Sequence, residues 1–93
     1  MVSFKAIAST DLHHGVTLSD PACRNFGLRL GQESDSAEQT VGLFLHTLAT
    51  QAPHWTWRSV SGTFIGVVQI NPAGERRFIP SAVRDFKEVA YEP

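Results

Sequence analysis

Ninety-three residues with eight basic and nine acidic side chains, a net charge of −1, are enough for one domain (1–93) and too few to split into two cores. That charge balance gives no electrostatic basis for holding nucleic acid or an anionic membrane, so both are disfavoured as partners. The apolar fraction of 42% against 18% charged residues excludes a disordered tail. Cys23 is the sole cysteine, so no intramolecular disulfide forms and a reducing compartment is expected. The longest apolar stretch, Phe64 to Val68, is too short for a signal peptide or a membrane span. A cytoplasmic location is the expectation.

Val2, Phe4, Ala6 and Ala8 alternate with Ser3, Lys5 and Ser9, the pattern of a strand with one buried face. Thr10 to Pro21 is rich in polar and turn-forming residues, with room for a short strand at Val16 and Leu18. Phe26, Leu28 and Leu30 alternate again and predict a second strand. Asp35 with Glu38, or Ser36 with Gln39, has capping-box spacing, and Ala37, Val41, Phe44, Leu45, Leu48 and Ala52 follow on one stripe. A helix from Ser36 to Ala52 is predicted, stopped by Pro53.

Trp55 to Val60 and Thr63 to Ile70 read as a hairpin closed by Ser61-Gly62. Asn71-Pro72-Ala73-Gly74 has the residues of a type I turn, leading into a strand from Glu75 to Ile79. Val83, Phe86 and Ala90 then have helical spacing and predict a short C-terminal helix. The expected fold class is α+β: a small antiparallel sheet of about five strands in the order β-β-α-β-β-β, with one main helix on one face. Its core would join Val41, Phe44, Leu45 and Leu48 to Phe4, Trp57, Phe64, Val68 and Phe78.

Chemistry-bearing clusters are sparse. Asp11, His13 and His14 include metal-ligating types, but adjacent histidines in an extended chain point opposite ways and no repeat supplies further ligands. His46, His54 and Cys23 stand without a second ligand or an activating base in the sequence around them. Trp55, Trp57, Phe64 and Phe78 interleave with Arg58, Arg76 and Arg77, but alternation assigns the rings to the core. No phosphate-binding glycine loop, zinc spacing or nucleophile elbow is present.

These observations favour a non-enzymatic accessory or regulatory module acting through protein contact, including inhibition of a larger complex, with a protein partner or a second copy of itself and no cofactor. The two expected contact groups are Val60, Ile65, Val67 and Ile79 on the second sheet face, and Leu43, His46 and Thr50 on the outer side of the helix. A small metal-dependent enzyme or metal-binding domain using Asp11, His13 and His14 is the alternative. A single-stranded nucleic-acid binder is the third reading.

Overall fold

The computed structural model describes residues 1–10, 15–20, 23–32, 34–50 and 57–90, with 23–26 described as backbone only. Five strands and one helix run in the order β1 (Val2–Thr10), β2 (Thr17–Asp20), β3 (Cys23–Leu30), α1 (Gln39–Thr50), β4 (Arg58–Ile70) and β5 (Arg76–Val89). The sheet closes on itself as a barrel, β1-β2-β3-β5-β4, with β3 and β5 parallel and the other pairs antiparallel. The class is α+β with five strands, as expected. The order is β-β-β-α-β-β, and closure replaces the open sheet.

The expected hairpin at Ser61-Gly62 does not form. β4 runs straight through it, because all nine residues of β1 find partners along it, from Val2↔Gly66 to Thr10↔Arg58. Long-range pairing overrides the local turn signal, as is common for strands. β5 holds the other edge from Ser59↔Val89 to Ile70↔Arg76.

The expected C-terminal helix is the second half of β5. Asp85 takes φ 53°, and the register slips between Ser61↔Lys87 and Thr63↔Arg84. This bulge adds a residue to the strand, so Val83 and Phe86, three apart, both reach the core. Bulged strand and helix therefore share one sequence spacing here. A second slip, between Ile65↔Ala82 and Gly66↔Pro80, seats Pro80 at an irregularity, where its missing N–H is tolerated.

Inward residues line up in rows. Val60, Ala8, Leu18 and Leu28 lie in register across β4, β1, β2 and β3, and all are buried. Helix α1 starts at Gln39, later than the predicted Ser36, and its predicted end at Ala52 and Pro53 lies outside the described residues. Its Val41, Phe44 and Leu48 are buried in the same cluster, so the helix packs on β4 and β5 and shares one core with the barrel. Five rings make a continuous path, Phe78–Phe4–Phe64–Phe44–Phe86, with centroid separations of 5.1, 6.2, 5.3 and 6.2 Å. Each such pair adds about 0.5–1.5 kcal/mol beyond burial. Two expected core members are corrected: Trp57 and Val68 are 43% and 38% exposed, because Trp57 precedes β4 and Val68 lies near its far end.

Polar contacts fix the helix in place. Arg58 is buried at the start of β4, and its guanidinium donates to the Leu48 and Ala49 carbonyls at 3.4 and 3.2 Å. A cation there satisfies last-turn carbonyls and complements the negative end of the helix dipole. At the other end the Glu38 carboxylate accepts two bonds from Arg84, one at 2.8 Å, so Glu38 ties the helix start to β5. That pairing holds the Glu38 carboxyl below its ordinary range.

Gly66 and Gly42 offer a paired test of the approach of β4 to β5. A Cβ on Gly66 would overlap the Ile79 carbonyl oxygen, whereas one on Gly42 meets nothing within 4 Å. Gly66→Ala is expected to destabilise by on the order of 3 kcal/mol, since backbone must move. Gly42→Ala should stabilise by about 0.5–1 kcal/mol through helix propensity. Urea unfolding of both variants checks the pair. Equal stabilities would contradict the close approach of β4 and β5 at Gly66.

Candidate protein-binding surface

Past the end of β1, strands β4 and β5 continue as a ribbon whose β4 edge runs on beyond Val2, while β3 flanks β5 at Arg77 and Phe78. The turn at its tip forms as the sequence predicts. Gly74 N–H donates to the Asn71 carbonyl at 2.9 Å, and the Asn71 side-chain oxygen accepts from Ala73 and Glu75 at 3.0 and 2.9 Å. Gly74 takes φ 84°, which a residue without Cβ adopts freely. The ribbon register is therefore the expected one, with Val67 opposite Ile79 and Val68 opposite Phe78.

The first expected contact group divides. Val60 is fully buried and is barrel core. Without a loop at Ser61-Gly62 the period of two keeps Val60 on the side of Phe64, so its assignment to the outer face is corrected. Ile65 and Ile79 are half-buried, and Val67 is 42% exposed. The second group, Leu43, His46 and Thr50, is exposed on the outer side of α1 as expected. Thr47 and Thr50 turn their hydroxyls back onto the helix, donating to the Leu43 and His46 carbonyls at 3.0 and 2.9 Å. Leu43, 57% exposed, is the large apolar side chain left on that side. The helix packs on β4 and β5 near Phe64, Val83 and Phe86, so its outer group lies apart from the strand group at residues 65–70 and 79.

Sequence reasoning missed Ile70, which is 65% exposed, and placed Val68 under the helix. The available signal was the uncharged run Val67-Val68-Gln69-Ile70 directly before a strong turn. It was concealed by splitting β4 in two, which made each half look short enough for the helix to cover.

A second feature crosses the barrel. Register places Ser9, Thr17, Arg29, Arg77 and Gln69 in one transverse row over five strands. All but Ser9 are exposed. Arg77 lies 3.5 Å from Glu75. A shallow groove of about 340 Å³ is bordered by Lys5, Asp20, Thr63 and Asp85 on another part of the wall. Among the described residues no three His, Cys, Asp or Glu side chains gather closely enough to hold a metal. Asp11, His13, His14, His54 and Trp55 lie outside the described residues, as does the side chain of Cys23. No helix among the described residues is long and apolar enough to cross a membrane.

No protein-family model matches this chain, and no curated protein or solved structure matches it either.

The contrast between Ile70 and Val60 is measurable. Ile70→Lys should leave stability within about 0.5 kcal/mol of the parent, as exposed positions usually do. Val60→Lys should abolish the cooperative thermal transition, because it places an unpaired charge in the core. A well-folded Val60→Lys protein would contradict the inward assignment.

Proposed function

We propose that this chain is a protein-binding module, accessory or regulatory in kind, that engages its partner through the β4–β5 ribbon. The observation that carries the reading is the exposure of Val67, Val68 and Ile70 on both faces of β4 where it runs on past its pairing with β1. At about 25 cal/mol per Å2, leaving such side chains in water forfeits stabilisation that a domain this small needs. Clustered exposed apolar residues of this kind mark contact surfaces. The ribbon is held in place by the Asn71 turn and the barrel behind it, so little order is lost on docking. Leu43 on the helix is a secondary contact.

A second reading is supported by the arginine row. Arg29 and Arg77 are cross-strand neighbours on an exposed row, where two guanidinium groups side by side suit a phosphate oxygen. The strand order, with a helix between the third and fourth strands, is that of OB-fold barrels, which often bind oligonucleotides across their second and third strands. Architecture alone does not carry activity. The described row also presents no aromatic ring for base stacking, which places this reading second.

One pair of measurements separates the readings. A photo-crosslinker at Ile70, used in the native host cell, should give a discrete protein adduct that Val67→Lys removes and Arg29→Glu leaves intact. Fluorescent oligothymidylate should show no anisotropy change at about 150 mM salt. Oligonucleotide binding that weakens steeply with salt and is lost in Arg29→Glu, without a protein adduct, would overturn the first reading in favour of the second.

A further inference from the structure

We infer that the partner is received as an extended segment of another chain, which adds as a strand along the open edge of β4 from Val67 to Ile70. The inference rests on the protein-binding reading and specifies its mode.

β5 pairs with β4 as far as Ile70↔Arg76, whereas β1 reaches only to Gly66, through Val2. Among the described residues no strand occupies the β1-side edge of residues 67–70. A strand in that position presents alternate N–H and C=O groups to whatever comes alongside. Natural edges are defended by lysine, proline, inward charge or a bulge. Val67-Val68-Gln69-Ile70 has none of these, and both irregularities of the β4–β5 pair lie earlier, at Ser61/Thr63 and Ile65/Gly66.

Side chains beside the edge state what the added strand carries. Val68 continues the side of Val2, Phe64 and Phe78, and Val2 and Val68 are 44% and 38% exposed. Apolar residues at alternate positions of the segment would cover that side. The opposite side shows Val67 and Gln69, with Arg77 next to Gln69, which suits polar or acidic residues between the apolar ones.

Size decides against a second copy as the occupant. A stable dimer engages about 20–30 residues on each side. Self-pairing here would engage the four edge residues with Met1 and Val2 beside them. An extended peptide needs no such area, because main-chain hydrogen bonds supply its affinity and alternate side chains its specificity.

The test is a titration of the isotope-labelled protein with a synthetic octapeptide of alternating valine and glutamate, followed by NMR. A control peptide of the same sequence carries N-methyl groups on alternate backbone amides. The expected result is selective shifts at residues 67–70 and exchange slowed there by about tenfold or more, with the methylated peptide inert. Equal binding of both peptides to the ribbon would overturn strand addition while leaving the ribbon a protein-binding surface. So would a peptide-free protein that dimerises with the same amides protected, because a second copy would then hold the edge. No response at residues 67–70 up to millimolar peptide would also overturn it, and the Ile70 crosslink separately decides whether the ribbon binds protein at all.

Discussion

Strand β4 has to serve two neighbours at once, and that constraint organises the molecule. Along Ser59–Gly66 it is paired with β1 on one edge and β5 on the other, so its backbone groups are satisfied on both sides. Barrel closure follows, since β1 leads through β2 and β3 back to β5. Accommodation of the second neighbour is local. Gly62 lies against Phe86 and the Arg84 carbonyl, and Gly66 against the Ile79 carbonyl, with a slip of β5 opposite each. Side chains at either glycine would separate strands that closure requires in contact.

The same constraint explains what could and could not be read from the sequence. Elements with local causes were legible: the alternation of β1, the apolar stripe of α1, the Asn71 turn and the Val67↔Ile79 register. What failed depended on partners distant in sequence. Ser61-Gly62 is a good turn dipeptide, and only the presence of Ala6 and Ile7 opposite it makes it strand. Val83 and Phe86 match a helix because a bulge shifts strand spacing from two to three, and Asp85 at positive φ is where that shift occurs. Of the candidate surface, Val67 was found through the correct turn, whereas Val60 was misplaced through the incorrect one.

Function enters through what closure leaves over. β4 is thirteen residues long and β1 nine, so β4 runs on past β1, with β5 on its other side and β3 beyond β5 at Arg77 and Phe78. The part of β4 past β1 is apolar and uncharged along its edge, while charged groups such as the Arg84–Glu38 pair lie beside the helix. Exposed apolar side chains, and a backbone edge that no strand occupies among the described residues, are what the proposed contact surface rests on. In the proposed reading Leu43 on the helix is a lesser contact, since its neighbouring threonine hydroxyls are bonded to the helix itself.

The continuity of β4 is the claim on which the core, the ribbon and the surface assignments all depend. Native-state hydrogen exchange of individual amides tests it most directly. The account predicts that the amides of Val60 to Ile65 exchange only through global unfolding, Ser61 and Gly62 among them. Fast, loop-like exchange at Ser61 and Gly62, with slow exchange on either side, would show a hairpin there and contradict the account.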